Sequence, residues 1–138
     1  MSAQESFDEL SFYTLAHGDP RFIHQHAVDA FAVQNATDDT KTIAIVFGLV
    51  GLYLFLERGF TGRQVQLTHM RLAKRRRDWP RPQLPMQRGS ITVAEVVQAS
   101  PGPDRDRAIE AWCAAVWEPN HATRDLIANL LRNELDIR

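Results

Sequence analysis

His26 and Asp29 are the pair in this sequence best placed to do chemistry. They sit three residues apart in an otherwise apolar segment that runs from Phe22 to Gln34. A helix advances about 100° per residue, so i and i+3 share a flank. On such a helix Ile23, Ala27, Ala30, Phe31 and Gln34 form the apolar face, and His26 and Asp29 stand beside it with Phe22 and Val33. His24 points nearly opposite to His26, so a His-x-His chelate is excluded while the segment is helical. A third titratable group, His69, belongs to a later helix, on the stripe Val65, Thr68, Leu72. If the two helices pack together, His26, Asp29 and His69 could converge. Two imidazoles and a carboxylate suffice for a divalent metal with an open position. The same groups would serve as a general base, with Asp29 orienting an imidazole.

The structural reading of these residues is simpler and is favoured. A histidine or aspartate on a helix flank usually bonds a neighbouring helix end or reaches water. Gln34 lies on the apolar face and implies a specific buried hydrogen bond. Glu57 closes a buried run with Arg58 and is a further candidate for the same pocket, although such a pair more often marks the solvent edge. His121 and Asp125, four apart, open the last helix, where the carboxylate suits the helix dipole.

Lys74 to Arg77 is the one charge run. Phosphate or RNA binding, with Trp79 stacking, is its functional reading. A solvated helix C-terminus, where cations also suit the dipole, is preferred. Trp112, Cys113 and Val116 follow Ile109 on one apolar stripe, so they read as core rather than as a nucleophile's surroundings. Trp117 becomes an interface anchor only if exposed. The sequence carries no phosphate-binding glycine loop, nucleophile elbow, His-Glu-x-x-His helix or paired-cysteine zinc signature.

The elements that must position these residues are helices. The 138 residues fit one domain, 1–138, with a real core. Hydrophobic residues make up 44% and charged residues 24%, with a net charge of -1, so no global field favours nucleic acid or an anionic membrane. A single cysteine rules out an internal disulfide and suits a reducing cytoplasm. The N-terminal residues lack a basic and an apolar region, so no signal peptide is expected. The apolar run from Ile43 to Leu56 falls short of the roughly 20 residues that span a bilayer.

Strand-like alternation is nearly absent. A first helix carries Phe7, Leu10 and Leu15, with Phe12 nearby, and stops at His17-Gly18. Asp19 and Pro20 read as N-cap and first residue of a second helix, ending near Gln34-Asn35. A third helix, apolar nearly all round, runs from about Thr40 to Arg58, with Gly48 and Gly51 admitting a close neighbour and Gly59 as its stop. Thr61 and Gln64 form a capping box for a fourth helix reaching about Arg76. The proline-rich stretch from Trp79 to Pro85 is an ordered loop pinned by Trp79, Leu84 and Met86. Thr92 and Glu95 form a second capping box, for a short helix to about Ala99. Asp104 caps the next helix, Pro119-Asn120 breaks the chain, and a last helix carries Leu126, Ile127, Leu130, Leu131 and Leu135. The expected fold is all-α: a compact bundle of about six or seven helices around a central apolar helix.

Several blocks taken together resemble a bacterial family of unknown function. They are residues 26–34, Gly51 to Gly59, Phe60 to Met70, Gly89 to Val96 and Trp112 to Trp117, in that order and over most of the chain. The resemblance implies a shared fold and names no reaction. Its pattern includes the positions of His26, Asp29, Gln34, Glu57 and His69. It often has a His and a Cys where this chain has Asp8 and Ser11, which weakens a zinc site here and leaves oxygen donors. The reading is therefore a small, soluble, bacterial binding or association domain with a polar pocket near His26. It would take a small ligand or a protein partner, a homodimer included. No cofactor is established. A metal-dependent hydrolase or thiol transferase using His26, Asp29 and His69 is the alternative, and phosphate or RNA binding through residues 74–77 ranks third.

Overall fold

The computed structural model describes residues 1–16, 19–75 and 78–138. Its elements are α1 (Ala3–Ala16), α2 (Ile23–Gln34), α3 (Thr42–Arg58), α4 (Gly62–Arg75), α5 (Val93–Gln98), α6 (Pro103–Trp117), a 3₁₀ turn (Glu118–Thr123) and α7 (Arg124–Leu135). Among the described residues there is no strand. One buried cluster draws on all seven α-helices.

α3 is the centre of the bundle because its sequence leaves it no polar face. Ile45, Val46, Leu49, Val50, Leu52 and Leu54 are fully enclosed, and each large aliphatic side chain so buried stabilises the fold by roughly 1.5–3 kcal/mol. α2, α4, α6 and α7 all pack on α3, with α2 the most extensive partner. The α2–α3 approach is close because α3 offers glycine there. A Cβ on Gly48 would stand 2.7 Å from Val33 Cγ2, and one on Gly51 only 1.8 Å from Asp29 Oδ2. Gly59 then stops α3 at φ 70°, where its missing Cβ avoids the left-handed penalty.

Local signals hold at several boundaries and fail at others. Thr61 and Gln64 make both bonds of the capping box: Thr61 N donates to Gln64 Oε1 at 2.8 Å, and Gln64 N to Thr61 Oγ1 at 3.2 Å. Thr92 and Glu95 do not, since no side chain caps α5. α6 is capped at Gly102 with Pro103 as its first residue, and Asp104 falls inside its first turn. Pro119 and Asn120 turn the chain within a 3₁₀ segment that leads directly into α7. The expected stop at His17-Gly18 and the end of the basic run, Arg76-Arg77, lie outside the described residues.

α2 starts three residues later than Asp19-Pro20 suggested. Asp19 closes a turn instead, its Oδ1 accepting from Arg21 N at 2.9 Å and its carbonyl from Phe22 N at 2.9 Å. Phe22 follows in the left-handed region, at φ 59°. Tertiary contacts hold this turn against its local cost. The Phe22 carbonyl packs on Gly62, where a Cβ would approach within 1.8 Å. The Arg63 guanidinium covers the Phe22 ring at 4.5 Å.

The face of α1 also differs from expectation. Leu10, Tyr13, Ser6 and Thr14 are buried, whereas Phe12 is 78% and Leu15 58% exposed. Trp79 and Leu84 pack against the core as the loop reading required, but Met86 is fully exposed. What pins that loop is polar. Gln34 Nε2 donates to the carbonyls of Ile91 (2.7 Å) and Arg88 (3.3 Å), while Arg88 donates to the carbonyls of Ala36 (2.7 Å) and Pro85 (2.8 Å).

Candidate functional site

The turn before α2 with the start of that helix, the end of α3 with the residues after it, and the first half of α6 line a half-open cavity of about 380 Å³. Asp19, Arg21, Ile23 and His26 line it from the first segment. Phe55, Gly59, Phe60 and Thr61 line it from the second, and Asp106, Arg107 and Glu110 from the third. Its size falls within the range of small-molecule sites, as does its mix of aromatic and polar walls.

His26 is the most enclosed polar side chain in that wall, at 4% exposure. Its ring lies face to face with Phe55, centroids 3.6 Å apart and planes 12° from parallel. Burial lowers its pKa to about 4, against a smaller upward pull from Asp19, so the ring is neutral at pH 7. Nδ1 is enclosed with no hydrogen-bond partner, whereas Nε2, which makes no hydrogen bond among the described residues, is not enclosed in that way. A buried orphan N–H costs more than a buried lone pair. The proton therefore sits on Nε2, and Nε2–H is the donor the ring offers to the cavity.

The carboxylates are placed by α6. Asp106 and Glu110 are one turn apart and share a face. Asp106 Oδ1 accepts from the Tyr13 hydroxyl at 2.8 Å, and that hydroxyl oxygen in turn accepts from Gly102 N at 2.9 Å. Desolvation, then the bond to Asp106, raises the Tyr13 pKa, so it stays a donor. Arg107 is engaged by Asp104 in an ion pair. Among the described residues no cation pairs with Asp106 or Glu110.

The structure separates the residues expected to converge. Asp29 turns away from the cavity and packs against Gly51. Its Oδ1 accepts from Gln25 Nε2 at 3.1 Å, its Oδ2 is enclosed without a partner, and burial holds its pKa well above the ordinary range. His69 donates from Nε2 to the Phe47 carbonyl at 2.8 Å and stacks on Phe47; burial lowers its pKa. His24 reaches α1, Nδ1 lying 2.8 Å from Thr14 Oγ1, opposite to His26 as helix geometry requires. Among the described residues no three His, Cys, Asp or Glu side chains gather to hold a metal ion. The His26, Asp29 and His69 ligand set does not form, because packing commits His69 to a backbone carbonyl and Asp29 to the α2–α3 seam. Asp8, at a position where the resemblance suggested a ligand, is exposed and bonds Gln4.

Gln34 and Glu57 do not line the cavity. The Gln34 carboxamide accepts from Trp112 Nε1 at 2.9 Å while donating to the loop carbonyls. Glu57 accepts from Trp117 Nε1 at 2.8 Å and pairs with Arg124 at 2.5 Å. Trp117 is thus a buried tie between helices, not an exposed anchor. Cys113 is fully buried, its thiol pKa pushed far up by desolvation, which leaves it no nucleophile.

Sequence reasoning missed Asp19 as a cavity residue because it read as a helix cap. It missed Asp106 and Glu110 because two acids in the first turns of a helix read as a solvated, dipole-favoured face. Only the i, i+4 spacing of the two carboxylates was there to be noticed.

Residues 3–120 match the family of unknown function DUF5946. The chain belongs to that family. Neither a curated protein nor a solved structure matches it. No helix among the described residues is long and apolar enough to cross a membrane.

Proposed function

We propose that this member of the DUF5946 family is a small-molecule binding domain whose ligand occupies the cavity at His26. The observation that carries the reading is the imidazole itself. It is enclosed, neutral, stacked on Phe55, and without a hydrogen-bond partner among the described residues. With the Nδ1 lone pair enclosed, Nε2–H is the donor left for the cavity, and a ligand acceptor there gains a hydrogen bond worth roughly 1 kcal/mol. Catalysis is less well supported. A pKa of about 4 is poorly matched to proton abstraction at neutral pH, and the buried thiol does not reach the cavity.

The test is a ligand screen read on the side-chain NMR signals of His26 and Phe55, repeated on the Phe55 signals with His26→Phe, which keeps the stacked ring and removes both nitrogens. Compounds that shift the His26 signals and lose affinity about tenfold in the variant support binding at this site. Compounds that bind equally well without the imidazole place the ligand elsewhere.

Association is a second reading. Phe12 and Leu15, three residues apart, present two large apolar side chains on one exposed face of α1, the kind of surface a second copy covers. Sedimentation of Phe12→Ser/Leu15→Ser against the unmodified chain decides it: a dimer that becomes a monomer supports homodimer contact through α1, and an unmodified monomer removes it. The lone, fully buried cysteine supports a reducing, cytoplasmic setting.

A further inference from the structure

The cavity also carries information on the class of its ligand. Its apolar lining includes Phe55 and Phe60, His26 offers it Nε2–H, and α6 adds Asp106 and Glu110. Tyr13 fixes one oxygen of Asp106, so that carboxylate is held rather than free to swing into solvent. Arg107, the cation between them in sequence, is already paired with Asp104. Asp19 adds a third carboxylate at the α2 side, against one further cation, Arg21. The enclosed imidazole, 4% exposed and unpartnered among the described residues, is an observation independent of the acidic pair.

We infer that the ligand is a small organic ammonium compound: its cationic nitrogen lies at Asp106 and Glu110, its hydrocarbon part lies against Phe55 and Phe60, and an acceptor oxygen receives the His26 Nε2 proton. This rests on the proposal that the cavity binds a small molecule. Each part answers one wall. A carboxylate ligand would face a lining of three carboxylates, Asp19, Asp106 and Glu110, against two guanidinium groups, Arg21 and Arg107, and a neutral one would leave the excess negative charge unused. A purely apolar amine would leave the Nε2–H donor without an acceptor.

Three probes share a phenyl ring and a hydroxyl and differ only in the end group: phenylethanolamine, styrene glycol and mandelate. Titration of each into the full chain, followed on the His26 side-chain signals, should rank the ammonium first. Its Kd should be three- to tenfold below that of the diol, with mandelate weakest. Glu110→Gln and Asp106→Asn should each weaken the ammonium probe by a similar factor and leave the diol unchanged. Added salt should weaken the ammonium probe alone. His26→Phe, followed on the Phe55 ring signals, should weaken all three. Equal affinities, or mandelate binding best, overturn the ammonium assignment while leaving the binding site in place. Failure of all three probes to move the His26 signals overturns both.

Discussion

At the scale of single residues, two buried titratable groups in α2 set opposite pH dependences. His26 has its pKa lowered from 6.5 to about 4 by burial. Its contribution to stability is complete above pH 6.5 and is lost as the pH falls towards 4, because the unfolded chain takes up the proton first. The full effect is about 3 kcal/mol. Asp29 runs the other way. Its pKa is raised above 3.8, so its contribution is complete below that value and is lost as the pH rises through the folded-state value. Urea unfolding of His26→Phe between pH 4 and 7 should therefore show less acid destabilisation than the unmodified chain; an unchanged slope would place the titration elsewhere. Asp29→Asn should gain stability relative to the unmodified chain as the pH rises from 4 to 8. Gly51 shows why Asp29 is enclosed. A Cβ there would sit 1.8 Å from Oδ2, so Gly51→Ala should cost about 3 kcal/mol. Adding Asp29→Ala should restore part of that loss, a coupling that a double-mutant cycle in urea measures.

At the scale of elements, identical-looking sequence signals have unequal weight. Thr61 bonds Gln64 N, so Thr61→Ala should lower the unfolding midpoint by an amount equivalent to about 1 kcal/mol. Thr92 makes no such bond, and Thr92→Ala should change stability by only a few tenths of that; equal losses at both sites would contradict the assigned caps. The sequence showed α3, α4, α6 and α7 clearly because each carries a full apolar stripe or a complete stop signal, as in Gly59 and the Ile109, Trp112, Cys113, Val116 stripe. α1 was less legible. Its amphipathic pattern is weak, and the choice between Leu15 and Tyr13 as the inward residue depends on α5 and on the Gly102 and Asp106 groups that receive the Tyr13 hydroxyl. The start of α2 was misread for a related reason: Asp19-Pro20 is a sound local cap, but the contact of Phe22 with Gly62 and Arg63 favours a left-handed turn there.

At the scale of the whole molecule, two polar ties connect elements distant in sequence. Gln34 joins α2, the loop before α5 and Trp112 of α6. Replacing it with Leu leaves two or three groups unpaired, which should cost about 2–3 kcal/mol and speed amide exchange in residues 85–92; an unchanged exchange pattern would mean the loop is held by its apolar contacts alone. Glu57 ties the end of α3 to Trp117 and Arg124. The sequence alone determined that the chain is helical, that α3 lies at the centre and that His24 and His26 face apart, because these follow from side-chain periodicity within one segment. It also led us to expect a polar pocket near His26. Only the tertiary structure decided which groups gather there. It sent His69 to the Phe47 carbonyl and Asp29 to Gly51, and brought Asp106 and Glu110 from about 80 residues away to the cavity that His26 lines. Periodicity fixes which way a side chain points from its own helix, whereas the group it meets depends on how separate helices pack.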